Sequence, residues 1–364
     1  WLGKVMTIKL KKINIYTFIF FAVCFEITAQ GGMLKYIIIL LGSLFCIISQ
    51  RNKISISNMN IMIPPITYII FGLFANISNH FWNYNSIKQF LLIIVPSVAA
   101  IGIYTVFHDK NIDVCKYIFW GIVVANIPSF AYFTRENLAE SQYAFIYGIF
   151  ILYFFYMKDW KYEFFCVFLF ILANKRISIG AAIFCILVYI FLSRRKKKKL
   201  IIVVSSLTIM IVPYVYIWLV KNSWITLIFS KYSINSMGRI DMWKNFSKYY
   251  ILSPRFIGEG IGWIFTRLEQ INNVAFGNLH NDLLATFLEV GFIGFSMWLI
   301  GHIVIIYKAY MKKNISFKAI CLLILLIGYT LINYMTDNIL IYINYWLPLN
   351  LIILKITDKT FEGE

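Results

Sequence analysis

The chain has 364 residues, 60% of them hydrophobic and only 14% charged, with a formal net charge of +18. That apolar share is too high, and that charge too low, for a soluble domain. The apolar residues come in continuous runs of about 20, the length that spans a hydrocarbon core of about 30 Å, and their lack of alternation excludes a membrane β-barrel. The basic residues fall between the runs and not on one polar domain, which excludes nucleic acid as a partner and fits the cytoplasmic loops of a membrane protein.

At the start, Lys4, Lys9, Lys11 and Lys12 precede an apolar run over 13–29. The arrangement resembles a signal peptide. Glu26 inside the run and the many spans that follow favour an uncleaved first helix. Further runs occupy 33–49, 61–78, 87–107, 117–133, 143–157, 162–173, 177–193, 200–220, 283–307, 319–335 and 339–354. With the first they predict an all-α polytopic protein of about twelve spans, one integral membrane domain over 1–364. The six cysteines, Cys24, Cys46, Cys115, Cys166, Cys185 and Cys321, lie in or beside these runs without CxxC spacing, and read as small buried hydrophobes.

The connections alternate between two sides, and so does their charge. One set holds 22 Lys and Arg, six of them in Arg194–Lys199; the other holds 12, of which seven lie in the long stretch 221–282. Cytoplasmic loops collect Lys and Arg. Both termini are therefore predicted to be cytoplasmic and 221–282 to be a large outer loop, periplasmic or extracellular.

Within that loop Ile240, Trp243, Phe246 and Tyr250 fall near one helical face, which predicts an amphipathic helix over about 239–251 lying on the membrane surface. It ends before Pro254, and Gly258-Glu-Gly260-Ile-Gly262 reads as a flexible turn. No internal repeat is visible, which argues against a transporter built from inverted halves.

Outward-facing ionisable residues are few. Lys175 and Arg176 sit in a short outer connection near membrane depth, either as snorkelling anchors or as fixed cations for an anionic ligand. Guanidinium geometry suits Arg176 for phosphate. Arg239 opens the amphipathic helix, either as a solubilising charge or as a second such cation; Arg255 and Arg135 lie in outer loops. His280 precedes the span over 283–307. A nearby helix N-terminus disfavours the imidazolium, and a neutral imidazole is what a general base needs near pH 7. Asn281 and Asp282 could cap that helix or hold the imidazole. Glu289, nine residues past His280, is about half a helical turn out of phase and reads as a buried structural partner. Trp243 and Trp263 could stack on sugars.

The run His280-Asn281, nine residues, Gly291, two residues, Gly294 resembles the motif of the O-antigen ligase and O-antigen polymerase family of bacterial membrane glycosyltransferases. Gly238-Arg-Ile-Asp-Met-Trp243 is similar to the family's arginine-then-tryptophan stretch. Pro254-Arg-Phe-Ile-Gly-Glu-Gly-Ile-Gly262 is similar to its glycine-rich turn, and Asn174-Lys-Arg176 followed by Gly180 to its earlier outer arginine. Arg135 and Asn137 match a looser family loop.

The resemblance implies an enzyme of the cytoplasmic (inner) membrane that transfers saccharides carried on undecaprenyl pyrophosphate, without metal or other cofactor. Its reaction would be repeat-unit polymerisation into O-antigen or capsule. The ligase that moves polysaccharide to lipid A-core, and more distantly a polysaccharide flippase, are the alternatives. Arg176 and Arg239 would bind the pyrophosphate and His280 would deprotonate the acceptor hydroxyl. Lys175, Arg135, Asn281, Arg255 and Glu289 would support them. The implied partners are the lipid-linked donor and acceptor, the bilayer and a chain-length regulator. Independently of the resemblance, no outer loop carries an Asp-x-Asp or a His/carboxylate cluster, so a divalent metal on the leaving group is unsupported.

Overall fold

The computed structural model describes residues 32–49, 56–107, 113–131, 141–233, 238–271, 279–312 and 314–358. The first predicted span, Glu26 and Arg135 lie outside the described residues. Among the described residues the secondary structure is all helical. In chain order it runs α1 (Gly32–Ser49), a 3₁₀ turn (Ile56–Met62), α2 (Ile63–Ser78), α3 (Tyr84–Phe107), α4 (Val114–Ala131), α5 (Tyr143–Met157), α6 (Trp160–Leu172) and α7 (Arg176–Ser193). It continues with α8 (Lys198–Lys221), α9 (Trp224–Lys231), α10 (Arg239–Phe246), a 3₁₀ turn (Ser247–Tyr249), α11 (Trp263–Gln270), α12 (Asp282–Met311), α13 (Phe317–Tyr334) and α14 (Ile343–Thr357). Each apolar run from 33–49 onward coincides with one of these helices. Among the described residues six stretches, Met59–Ser78, α3, α7, α8, α12 and α13, are long and apolar enough to cross a membrane.

The chain divides into two compact units. The first comprises 1–58, 95–182 and 342–358. In it α14 packs on α4 and α5, and α5 lies against α6. Phe119 sits at the centre of an aromatic cluster with Phe150, Phe154, Tyr162 and Phe165. Lys355 near the end of α14 is tied to Asp113 at 2.8 Å and to the Tyr153 hydroxyl at 2.6 Å.

The second unit comprises 59–94, 183–341 and 359–364. It is built on α12, which packs against α2, α8, α11 and α13. That helix is broken at Gly291, whose φ of 72° and ψ of −177° are not helical. A break inside an apolar helix strands backbone groups that no water can satisfy. Here the segment 256–262 satisfies them. The amides of Glu259 and Gly260 donate to the carbonyls of Leu288 and Glu289 at 2.7 and 3.0 Å, and the Phe292 amide donates to the Phe256 carbonyl at 2.8 Å.

The approach is so close that neither strand could carry a side chain there. A Cβ on Gly258 (φ +91°) would lie 2.5 Å from the Gly291 nitrogen, and one on Gly291 would lie 2.3 Å from the Ile257 carbonyl carbon. The glycine-rich stretch is thus an interlock with α12 and not the flexible turn its composition suggests. Asn76 and Asn79 at the end of α2 hold its other edge. Asn76 accepts from the Ile261 amide at 2.8 Å, and Asn79 donates to the Gly258 carbonyl at 2.8 Å.

Behind the interlock lies Glu289, fully buried. Its carboxylate accepts from the Tyr68 hydroxyl, from Gln89 Nε2 at 2.5 Å and from the Gly262 amide at 3.1 Å. Three donors around one carboxylate account for how an acidic side chain is tolerated inside an apolar helix.

Candidate functional site

Among the described residues the stretch 221–282 forms three short helices, α9 to α11, two of which the apolar pattern alone did not reveal. The helix expected over 239–251 ends at Phe246 and a 3₁₀ turn follows, but the predicted face holds: Ile240, Trp243 and Phe246 of α10, and Tyr250 beyond the turn, are all buried. That burial turns two polar atoms toward neighbouring backbone. Arg239, at the first turn of α10, donates from Nη1 to the Thr336 carbonyl at 3.0 Å. One turn on, the Trp243 indole N–H donates to the Leu279 carbonyl at 2.8 Å. Trp243 is therefore a clamp on the residue before His280, with its ring inside the core.

His280 takes a left-handed backbone (φ +50°) where the chain turns into α12. Asn281 is the N-cap: its Oδ1 accepts from the Leu284 amide at 3.0 Å, the usual cap geometry, and its Nδ2 donates to the Tyr216 hydroxyl at 3.0 Å. Asp282 turns the other way and accepts from the Leu340 amide at 2.6 Å. Of the two roles open to this pair in the sequence, capping the helix or holding the imidazole, Asn281 takes the cap, while Asp282 binds the connection after α13.

The imidazole is held by that same connection, Thr336-Asp337-Asn338. Asn338 accepts from the His280 amide at 2.7 Å and brings its Nδ2 to the ring Nδ1 at 3.0 Å. Asp337 Oδ1 lies 3.7 Å from Nδ1, beyond hydrogen-bond reach, and accepts from the Asn338 amide at 2.9 Å. The His280 side chain keeps 27% of its surface open above this buried carboxylate. Three consecutive residues thus form a shelf: Thr336 takes Arg239, and Asp337 and Asn338 face His280.

Asp337 and Asn338 were not among the residues singled out from the sequence. The signal was available: they lie in a polar connection of a few residues between two apolar runs, the same context that drew attention to Asn174-Lys-Arg176.

The structure brings Arg239 and His280 together on one connection of the second unit. Lys175 and Arg176 belong to the first unit. There Arg176 is exposed and opens α7, while Lys175 is buried with its Nζ 4.8 Å from the centre of the Phe145 ring. Arg255 is exposed, beside the interlock. Burial lifts the Glu259 carboxyl above its usual range. Trp263 packs edge-on against Phe246 and Tyr249. Burial works to raise the Tyr249 phenol, but hydrogen bonds and charge from Arg267, with Lys248 beside it, outweigh that and bring it below its ordinary value. Among the described residues no three His, Cys, Asp or Glu side chains gather as a metal site.

Residues 163–299 match the family described as O-antigen ligase, a stretch that includes Arg176, Arg239, His280, Glu289 and Gly291. Comparison with curated proteins and with solved structures gives no match.

Proposed function

We propose that the chain, whose residues 163–299 match the family described as O-antigen ligase, polymerises undecaprenyl-pyrophosphate-linked repeat units into O-antigen or capsular polysaccharide. The reaction belongs on the outer face of the cytoplasmic membrane, with about twelve spans and both termini inside. The excess of Lys and Arg on the alternate connections supports that orientation. The observation that carries the reading is the shelf, where a half-buried arginine and a partly open histidine meet on one turn beside the start of α12.

A glycosyl transfer from a lipid pyrophosphate must stabilise the charge that builds on the leaving group. Arg239 supplies a fixed cation whose fork keeps further donors beyond the one that Thr336 takes. Arg176 is the second cation of this reading, taken from the family resemblance. His280, as base on the acceptor hydroxyl, would contribute about 10²–10⁴-fold. Asn281 and Glu289 support the site by fixing α12. Lys175 and Arg255 are further outer cations. The acceptor is a second lipid-linked saccharide, and a chain-length regulator is a candidate partner.

The ligase reading has its own support, because the matching family is described by that activity. The two separate in proteoliposomes containing the full chain. A polymerase makes a ladder from the lipid-linked repeat unit alone. A ligase gives product only after lipid A-core is added, and no product in either case sinks both. A chelator should leave the rate unchanged, and strong inhibition would refute the metal-free mechanism. Arg176→Lys should lower transfer by about tenfold or more, because bidentate phosphate contact is lost while charge is kept. Full activity would make Arg176 a membrane anchor only.

A further inference from the structure

The spacing of Ile240, Trp243, Phe246 and Tyr250 points to α10 as the element that lies on the membrane surface. Those side chains are buried in protein, however, and α10 exposes Asp241, Lys244 and Asn245. The helix before it is arranged differently. α9 packs against α8, and its one buried residue is Ile225. Thr226 and Ser230, one turn apart, give it a polar edge. Trp224, Leu227 and Ile228, at i, i+3 and i+4, form a third face that is 48%, 56% and 45% exposed. One short helix thus carries a side for protein, a side for water and an apolar side left open.

Its neighbours indicate what meets the open side. α8 is long and apolar enough to cross a membrane and ends at Lys221, three residues before α9 starts. Leu207, Ile211, Val215 and Trp218 make an exposed apolar stripe along α8 that leads toward that end. Trp224 and Tyr232 bracket α9, with Lys231 beside Tyr232. Tryptophan and tyrosine collect where acyl chains meet headgroups, and a lysine stem reaches from one layer to the other.

We infer that α9 lies in the bilayer interface at the Lys221 end of α8, with Trp224, Leu227 and Ile228 among the acyl chains and Thr226 and Ser230 toward headgroups and water. Lys221 then moors α10 to the same layer. Its Nζ donates to the Ser247 carbonyl at 2.8 Å and to the Tyr250 carbonyl, both just past the end of α10, and lies 4.5 Å from the centre of the Tyr250 ring. This placement rests on α8 being a span and not on the transfer reaction. On the transfer reading above, the mooring keeps Arg239 within the length of α10, about 12 Å, of the headgroup layer in which a lipid pyrophosphate lies.

The test is nitroxide accessibility in the full chain, embedded in nanodiscs, with Cys24 and Cys46 replaced by serine; Cys115, Cys166, Cys185 and Cys321 are buried. Labels enter singly through Leu227→Cys, Ile228→Cys, Lys244→Cys and Asn245→Cys. Oxygen, which concentrates among acyl chains, should relax the labels at 227 and 228 more than a water-soluble nickel complex does. The order should reverse at 244 and 245. Nickel prevailing at 227 and 228 would mean that the face meets water. Neither reagent reaching them would mean that a second copy or another part of this chain covers it. Each result overturns the inference. In Lys221→Met the labels at 227 and 228 should stay with oxygen while those at 244 and 245 gain mobility, and unchanged mobility removes the mooring. The unsubstituted chain, in nanodiscs whose lipids carry a photoreactive acyl chain, gives a second measurement free of folding defects. Lipid adducts are expected on Trp224, Leu227 and Ile228, and their absence there overturns the placement. None of these readouts needs turnover, so a chain that transfers nothing would lose the glycosyl-transfer reading and keep the interfacial helix.

Discussion

Two polar clusters interrupt the apolar interior of the second unit, and they are built on opposite plans. The Glu289 cluster is closed: a fully buried carboxylate takes donors from Tyr68, Gln89 and Gly262, and the broken turn of α12 exchanges its backbone bonds with 256–260. The His280 shelf is open: its buried carboxylate and amide support an imidazole that keeps 27% of its side chain accessible. Charge inside a membrane helix is a reasonable first marker of function. Here the more deeply buried acid holds the fold, and the proposed chemistry falls to the group whose supports are buried while it is not.

If that division is right, the closed cluster should answer in stability and the shelf in transfer. The largest loss of stability is expected from Gly291→Ala. The new Cβ would meet the Ile257 carbonyl carbon at 2.3 Å at a φ of +72°, where both the backbone strain and the overlap act against it. Together these cost about 3 kcal/mol. Thermal unfolding in nanodiscs should show a clear fall, with transfer following the folded fraction; an unchanged melting curve would mean that the interlock is not closed. Glu289→Gln should cost about 2 kcal/mol, because one side of the new amide presents NH₂ to a donor. The same unfolding measurement checks it, and a variant as stable as the wild type would show that the donors find other acceptors.

The sequence carried the helices well and their mutual contacts poorly. Continuous apolar runs marked α1 to α8 and α12 to α14 because each is long enough to report its own environment. The face of α10 was legible for the same reason, through the spacing of Ile240, Trp243, Phe246 and Tyr250. The short helices Trp224–Lys231 and Trp263–Gln270 are too brief for periodicity to separate from loop.

The interlock escaped because glycine composition is ambiguous. Gly258 and Gly260 read as freedom, and only the carbonyls of Leu288 and Glu289, far along the chain, show that their positive φ angles serve a close approach. Asp337 and Asn338 escaped for want of a spacing rule that ties them to His280, 57 and 58 residues earlier. The divergent fates of Asn281 and Asp282 were likewise invisible, since adjacent polar residues at a helix start satisfy one cap signal equally well.

Trp243→Phe sharpens the comparison from the shelf side, with the smallest expected change in stability. Phenylalanine keeps an aromatic ring in the core and removes only the indole N–H that reaches the Leu279 carbonyl at 2.8 Å. A neutral hydrogen bond of this kind is worth about 1 kcal/mol net, so the melting curve should move less than for either closed-cluster variant. Transfer should fall further than that loss implies, by about tenfold, because Leu279 precedes His280, the proposed catalytic group, and a displacement of about 1 Å is expensive for a positioned group. The loss should appear in kcat at unchanged protein level. A variant that loses transfer only in step with its folded fraction would place Trp243 with the closed cluster, and the boundary between the two plans would have to be redrawn to run between α10 and His280.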